Sequence, residues 1–270
     1  MVIDTEPFYF IDTHAHLDML KQMTPEFAVN ESLHEGVKYI VNVGSSLQGS
    51  IESSGFALKF ENVFAAAGIH PHHAAESCNR DILKLEELIL ANKKIIAVGE
   101  TGFDYFRDLS PKQEQKKVFI EHIELALKYC LPLIIHDRDA HDDMLDVLKE
   151  YCSEKNFKAV IHCFSGDAPF AIKCLELGCY ISFTGVITFP NAKSLIQTVD
   201  EVPLGRMFLE TDTPFLAPQE KRGKENFPGF VKYIAQKIAD IKETTIENVA
   251  AVTSAAAIDF FKLEVKNNQK

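Results

Sequence analysis

The stretch IIAVGETGFDYFRDLSPKQEQKKVFIEHIELALKYCLPLIIH, residues 95–136, holds one complete strand–helix–strand unit and decides the fold class. It opens on the apolar run Ile95–Val98 and closes on Leu133–Ile135. Both runs are short, rich in β-branched residues and followed by polar or glycine-containing segments, as is typical of buried strands. The sequence between them is long enough for a helix that crosses from one parallel strand to the next.

The helix inside this unit has its own start and stop signals. Ser110 is a predicted N-cap, Pro111 takes the first helical position and Gln113 completes a capping box. Pro132 ends the helix. One face of this helix is apolar at helical spacing, through Phe119, Ile123, Ala126, Leu127 and Cys130.

The same unit recurs along the chain. Six further strand candidates are Tyr9–Thr13, Tyr39–Val43, Val63–Gly68, Ala159–Ile161, Tyr180–Ser182 and Arg206–Leu209. Eight strand–helix alternations in 270 residues predict an α/β fold, a single (β/α)8 TIM-type barrel. Residues 244–261 predict one or two extra C-terminal helices packed outside the barrel. We expect one domain over residues 1–265 and a frayed tail at 266–270.

Composition predicts a globular, cytoplasmic protein. Hydrophobic residues make up 46% and charged residues 25% of the chain, and the N-terminal sequence has no basic segment followed by an apolar one. Six cysteines without a CxxC pair predict reduced, mostly buried thiols. We expect a monomer with no membrane partner. The net charge of −11 argues against a protein that coats nucleic acid, but bound cations would still permit a nuclease.

Residues that bind metals follow the predicted strands. They are His14 and His16 after strand one, Glu100 after strand four, His136 after strand five, His162 after strand six and Asp212 after strand eight. From Glu100 onward, the number of residues between one candidate and the next fits one or two strand–helix units. Because a barrel gathers the carboxyl ends of its strands around one mouth, we expect these six side chains to converge.

Six such ligands suffice for two divalent ions that share a carboxylate. His14 and His16 lie two apart on an extended segment and therefore point the same way. An isolated HxH pair is weak evidence, whereas six candidates at barrel spacing are strong evidence. Nitrogen and oxygen ligands without thiolate are compatible with Zn, Mn, Fe or Mg, and the sequence does not choose among them.

Several longer strings resemble the TatD family of metal-dependent deoxyribonucleases. They are IDTHAHLD (11–18), GIHPHH (68–73), VGETGFDY (98–105), residues 113–138, HCFSG (162–166) and LETDTPFLAP (209–218). The resemblance implies a barrel hydrolase that cleaves DNA, often as an exonuclease, with two metals bridged by Glu100. It implies that His14, His16 and Asp212 bind the first metal, and that His136 and His162 bind the second.

The chain departs from the family pattern beside the site. Phe103 stands where the family usually has Leu, and Asn226-Phe227-Pro228 replaces its usual Asn-Glu-Pro. An aromatic residue at 227 could stack on a base. An expected Asn near the C-terminus is Ala256.

Roles around the metals are hypotheses. Asp212 is the candidate base that orients and deprotonates the attacking water, with Glu100 as the second catalytic carboxylate. We predict substrate contacts from a further set of polar residues, with packing, pairing or solvation as the alternative for each: His70, Arg138, Ser165, Arg222 and Lys224. His72 and the aromatic residues Phe103, Tyr105 and Phe106 are weaker candidates.

The sequence is compatible with two other functions. One is an amidohydrolase or lactonase that acts on a small amide, ester or phosphotriester. Many such enzymes bridge their metals with a carboxylated lysine on strand four, where this chain has Glu100. The other is a metal-stabilised scaffold without turnover, for which a complete ligand set is hard to explain.

Overall fold

The computed structural model describes residues 8–264, which form an eight-stranded barrel surrounded by helices. All strands are parallel and pair in chain order. They are β1 Phe10–Ala15, β2 Val37–Val43, β3 Val63–Ala67, β4 Ile95–Asp104, β5 Leu133–Arg138, β6 Ala159–Ile161, β7 Tyr180–Phe183 and β8 Met207–Leu209. The predicted (β/α)8 barrel is confirmed. The predicted outer bounds at 1 and 265 and the predicted tail at 266–270 lie outside the described residues.

Helices connect the strands and cover their outer faces. They are α1 Pro25–His34, α2 Leu47–Lys59, α3 Asn79–Ala91, α4 Lys112–Tyr129, α5 His141–Tyr151, α6 Ala168–Glu176, α7 Lys193–Glu201, α8 Val231–Ile241 and α9 Ile246–Phe261. Their buried apolar residues form one continuous core with the outward-facing strand residues, for example Ile123 of α4 with Ile135 of β5. Within residues 8–264, no helix combines the length and the apolar character needed to cross a bilayer.

The barrel is nearly closed between β1 and the segment after β8. Asp212 N donates to His14 O at 2.9 Å, and His16 N donates to Thr213 O at 2.8 Å. The Thr13 hydroxyl adds a bond of 3.1 Å to Leu209 O. These bonds bring the HxH pair directly beside Asp212, although about 200 residues separate them in sequence.

Helix α9 covers the end of the barrel opposite the polar mouth. Its Phe260 ring lies 5.1 Å from the ring of Phe208 in β8 and 4.8 Å from that of Tyr180 in β7. Phe260 and Phe261 belong to the same buried cluster as the barrel-interior residue Ile134. The expected extra C-terminal helix is therefore confirmed, and its aromatic face completes the interior layer at that end of the barrel.

The predicted start of helix α4, with Ser110 as N-cap and Pro111 at the first helical position, is wrong. Helix α4 begins at Lys112 with Pro111 as its N-cap, and no side chain caps it. The Ser110 hydroxyl instead donates to His72 O at 2.9 Å and accepts from Ala75 N at 3.1 Å, so it fixes the loop after β3.

The cysteines are unpaired, as expected of reduced thiols, but they are not mostly buried. Only Cys174 and Cys179 are buried, whereas Cys78 and Cys130 are exposed and the remaining two are intermediate.

Candidate metal centre

The structure brings the six predicted ligands together at one mouth of the barrel. His14 lies on β1, and His16 and His162 directly follow β1 and β6. His14, Glu100 and His136 were expected after their strands. They lie within them, because β1, β4 and β5 continue to Ala15, Asp104 and Arg138.

A bulge in β4 aims Glu100 at the centre of the mouth. The pairing with β5 shifts between Val98 and Thr101, so β4 carries one extra residue there. Gly99 has a φ of +141°, and a Cβ at this position would lie 2.5 Å from Ile134 O. Glycine is therefore required at 99, since a side chain would collide with the neighbouring strand.

One half of the cluster is formed by His14, His16 and Asp212. The two Nε2 atoms are 3.2 Å apart. Asp212 Oδ1 lies 3.9 Å from His14 Nε2 and 3.5 Å from His16 Nε2. Glu100 Oε2 lies 3.5 and 3.7 Å from the same two nitrogens. Four polar groups from distant parts of the chain thus face a single point.

The other half surrounds the second oxygen of Glu100. Oε1 lies 2.7 Å from His136 Nδ1 and 2.7 Å from His162 Nε2, and these two nitrogens are 3.4 Å apart. His70 Nε2 lies 3.4 Å from the same oxygen. His70, predicted as a substrate contact, thus lies within reach of the cluster itself. Each oxygen of Glu100 faces its own set of imidazoles.

The geometry fits cations. Two nitrogens bound to one tetrahedral zinc at about 2.0–2.1 Å lie roughly 3.4 Å apart, close to the 3.2 Å between His14 and His16. Three ligand sets have mutually close donor atoms: His14, Glu100 and His162; His14, His16 and Asp212; His70, Glu100 and His136. Buried carboxylates among imidazoles form a donor set that hard and borderline divalent ions accept.

Two imidazoles of the cluster are oriented by groups that bind one of their ring nitrogens, a backbone carbonyl for His16 and a carboxylate for His136. His16 Nδ1 lies 2.7 Å from Val43 O, which only accepts hydrogen bonds, so Nδ1 carries the proton and Nε2 faces the cluster. Asp104 Oδ2 lies 3.2 Å from His136 Nε2. Glu210 Oε1 lies 3.5 Å from His162 Nδ1, close enough for a charge interaction, but this nitrogen has no hydrogen-bond partner within residues 8–264.

Asp104 and Glu210 were missed from the sequence. Both stand inside strings that carry the family resemblance, VGETGFDY and LETDTPFLAP. Their position in those strings was the available signal, but their partners were not visible before folding. Asp104 also holds His72, whose Nε2 lies 2.8 Å from Oδ2.

Burial and neighbouring charges shift the pKa values of several side chains in the cluster. Burial lowers the pKa of His16, but the hydrogen bond and charge of Asp212 outweigh it and raise that pKa to about 9. Burial raises the pKa of Glu100, but the charges of His162 and His70 outweigh it and hold that pKa well below its usual range. Burial lowers the pKa of His70 to about 4. Cations that bind here would displace protons from imidazoles beside carboxylates that stay ionised.

A cavity of about 520 Å³ opens above the cluster. Its lining includes the side chains of Arg107 and Arg138 and the acidic side chains of Glu100, Asp104, Asp137 and Asp212, with His72 and His73 also present. Its apolar lining residues are Met19, Val186, Phe215 and Leu216. The predicted contacts His70, Arg138 and Ser165 line this cavity, and Arg107 is a basic residue that sequence reasoning missed.

The two basic residues predicted from the loop after β8 lie elsewhere. Lys224 lines a neighbouring cavity of about 620 Å³. Arg222 lines neither of these cavities, since its guanidinium lies 5.5 Å from the Phe189 ring centre and donates to Gln219.

Most of the aromatic candidates are unavailable for stacking. Phe103 is fully buried against Phe119, with ring centres 5.3 Å apart. Phe227 is 7% exposed and packs on Phe230 at 4.5 Å, so the expectation that it could stack on a base is wrong. Phe106 is 57% exposed but lies under the Arg138 guanidinium at 3.9 Å.

Comparison with known proteins shows the family of this chain. The sequence-family model described as TatD related DNase matches residues 11–262. The chain belongs to the TatD family. The TatD-family homologue YjjV from Escherichia coli has the same fold, with a TM-score of 0.88 at 26% identity over 94% of this chain and 98% of that one.

Two TatD-family relatives are similar to this chain over most of its length. The uncharacterized metal-dependent hydrolase YabD of Bacillus subtilis is 40% identical over 253 residues, covering 93% of this chain and 98% of the relative. The 3'-5' ssDNA/RNA exonuclease TatD of Klebsiella pneumoniae is 30% identical over 235 residues, covering 85% and 89%. The protein is thus a metal-dependent hydrolase, with several clusters of candidate ligands at its mouth.

More distant structures share only the barrel. A β-aspartyl dipeptidase from Fervidobacterium islandicum has a TM-score of 0.63 at 16% identity, covering 95% of this chain and 73% of that one. At this identity the likeness shows the fold alone.

Proposed function

We propose that this protein is a deoxyribonuclease that removes nucleotides from the end of a DNA strand, using two divalent cations. The observation that carries the proposal is the position of Glu100, whose two oxygens face two separate sets of imidazoles, at 2.7 Å on one side and 3.5 Å on the other. A carboxylate in this position can bridge two ions. Mg, Mn and Zn are the candidate metals.

His14, His16 and Asp212 would hold the first ion, and His136 and His162 the second, with Glu100 shared. When bound, such ions lower the pKa of water and polarise a phosphoryl oxygen. Asp212 accepts the proton of the attacking water in this proposal. Burial raises the pKa of Asp212, but the hydrogen bond and charge of neighbouring histidines outweigh it, so the carboxylate is ionised and able to accept.

The two arginines in the cavity lining favour an anionic substrate over a neutral amide or ester. Arg107 and Arg138 line the same cavity as Glu100 and Asp212, so a phosphodiester over the ions would lie within their field. Ser165 at the opening adds a hydroxyl that can bind a non-bridging oxygen. Four carboxylates also line this cavity, so bound divalent cations would have to supply the remaining positive charge that a phosphate needs there.

The size of the cavity favours action at a strand end. About 520 Å³ is in the range of a small-molecule site, roughly 300–1,000 Å³, and too small for a duplex. A single terminal nucleotide is therefore the unit that we expect to enter. The Klebsiella pneumoniae relative, named as a 3'-5' exonuclease on single-stranded DNA and RNA, supports this choice.

The test is a nuclease assay of metal-stripped protein restored with one cation at a time. End-labelled single-stranded DNA, duplex DNA and RNA are compared with a panel of small esters, lactones and amides. We expect stepwise shortening of single-stranded DNA that requires added cation, and little turnover of the neutral substrates. Efficient hydrolysis of a neutral amide or ester with intact DNA would reject the proposal in favour of an amidohydrolase.

A further inference from the structure

Phe215 is an exposed aromatic side chain beside the metal centre. Half of it is exposed, at 50%, and its ring lies edge-on 6.4 Å from the His16 ring. Exposed phenylalanines need no explanation singly, but this one lies next to a predicted metal ligand. It also lines two cavities at once.

The two cavities share a ridge made of Phe215 and Met19. The inner cavity holds the metal centre, and the outer cavity of about 620 Å³ is lined by Lys21 and Lys224. Both cavities include Phe215 and Met19 in their walls. A chain-like substrate that reaches the cations from the outer side must therefore pass over this ridge.

The backbone that carries Phe215 is fixed from below. Asn226 is fully buried, and its amide donates to Thr211 O at 2.8 Å and to Phe215 O at 2.5 Å. Phe215 N donates to Asp212 O at 2.8 Å. The ring is thus attached to the same short segment as Asp212, and its distance from the reacting group is set before substrate arrives.

The outer cavity has groups that suit the next phosphate. Lys21 and Lys224 are exposed at its edge, and Asp18 and Glu225 also line it. The Glu225 carboxylate is engaged by the backbone, since Lys21 N and Gln22 N each donate to it at 2.8 Å. Both oxygens of this carboxylate are therefore occupied by backbone N–H groups, and no ion pair joins it to Lys21 or Lys224 within residues 8–264, which leaves the two ammonium groups available to an anion.

We propose that Phe215 stacks on the base of the first nucleotide beyond the scissile phosphate, on the side of the strand that is retained. The terminal nucleotide then occupies the inner cavity, and the following phosphate meets Lys21 and Lys224. This inference rests on the proposed function and adds the path of the strand. Stacking on an aromatic ring accepts any base, so the subsite selects single strands without reading sequence.

The first experiment compares Phe215→Ala, Phe215→Tyr and the wild type. The substrates are a short single-stranded oligonucleotide and an abasic dinucleotide, which is a small phosphodiester without a base or any other aromatic ring. We expect Phe215→Ala to lower kcat/KM for the oligonucleotide by about 5- to 100-fold and to leave the small diester nearly unchanged. Phe215→Tyr keeps the ring and should restore the oligonucleotide rate. Phe27→Ala, at a similarly exposed position of 56% on α1, is the matched control.

A modified substrate locates the contact. An oligonucleotide that lacks only the base predicted to stack should be cleaved equally well by wild type and Phe215→Ala. The double substitution Lys21→Ala/Lys224→Ala should weaken cleavage of a ten-nucleotide strand and spare a dinucleotide. Persistence of the Phe215→Ala defect on the abasic strand would overturn the stacking assignment.

Two other outcomes separate this inference from the proposed function. An equal loss on both substrates for Phe215→Ala would mean that the ring only supports the metal centre, and the nuclease proposal would stand without it. A wild type that cleaves no phosphodiester would remove the proposed function. In that case the stacking role of Phe215 is tested by oligonucleotide binding, measured by fluorescence anisotropy. Equal binding by wild type and Phe215→Ala would overturn the inference.

Discussion

The two ends of the barrel are built from the same strands and differ completely in chemistry. At the mouth, buried imidazoles and carboxylates crowd around Glu100, as near as 2.7 Å. At the opposite end, Phe208, Phe260 and Phe261 form an aromatic layer with ring centres 4.8–5.7 Å apart. The comparison teaches that apolar packing at one end stabilises the fold while the other end keeps an arrangement that packing alone would not favour.

The largest effect is expected from Asp212→Asn at the mouth. Loss of the proposed proton acceptor should reduce kcat on DNA, the proposed substrate, by about 10²- to 10⁴-fold, while the protein still unfolds cooperatively in urea. Asp259→Asn, an exposed carboxylate on α9, is the matched control and should keep full activity. Near-normal turnover by Asp212→Asn would refute the role given to this carboxylate.

Phe260→Ala should have the opposite profile. The ring is 1% exposed, so its removal leaves a cavity and should lower the free energy of unfolding by about 3–5 kcal/mol. The activity of each folded molecule should stay within about twofold, because no part of the mouth changes. Urea titration and active-site-normalised kinetics measure both. A large loss of specific activity with unchanged stability would break the division between the two ends.

A histidine outside the metal centre sharpens the comparison. His122 is fully buried in α4, accepts from Ile69 N at 3.0 Å through Nε2 and donates from Nδ1 to Val118 O at 2.7 Å. Burial lowers its pKa from 6.5 to about 4. The unfolded chain therefore binds more protons between these values, and the stability contributed by neutral His122 is complete above 6.5 and is lost as the pH falls toward 4.

Urea unfolding at about pH 7 and about pH 4.5 tests this. At about pH 4.5 the free energy of unfolding of the wild type should be lower by about 2–3 kcal/mol because of His122. His122→Gln retains an acceptor and a donor but does not titrate, so its loss should be smaller by that amount. His34→Gln, at the last residue of α1, is the control. An identical acid loss in wild type and His122→Gln would show that this imidazole is not the group responsible.

The smallest effect is expected from Asp104→Asn. Asp104 Oδ2 lies 3.2 Å from His136 Nε2, and Oδ1 accepts from Arg107 N at 2.8 Å. Removing its charge should lower metal affinity by about 10- to 100-fold, measured by competition with a chelator. Asp143→Asn, whose carboxylate accepts the Tyr105 hydroxyl at 2.6 Å, is the control. Unchanged metal affinity in Asp104→Asn would mean that this carboxylate does not orient His136.

Sequence alone determined the barrel and the six residues that converge at its mouth. Short apolar runs separated by amphipathic segments permit few arrangements, and the ligands follow or end strands that a barrel must gather. The HxH pair, Glu100 and Asp212 were therefore identifiable without knowing any distance.

Only the tertiary structure decided which residues surround that centre. Phe227 and Phe215 are both aromatic residues in the loop after β8, yet one is 7% and the other 50% exposed. Ser110, a predicted helix cap, bonds the loop after β3 instead. Exposure and long-range partners depend on how distant segments pack, and such contacts leave no periodic trace in the local sequence.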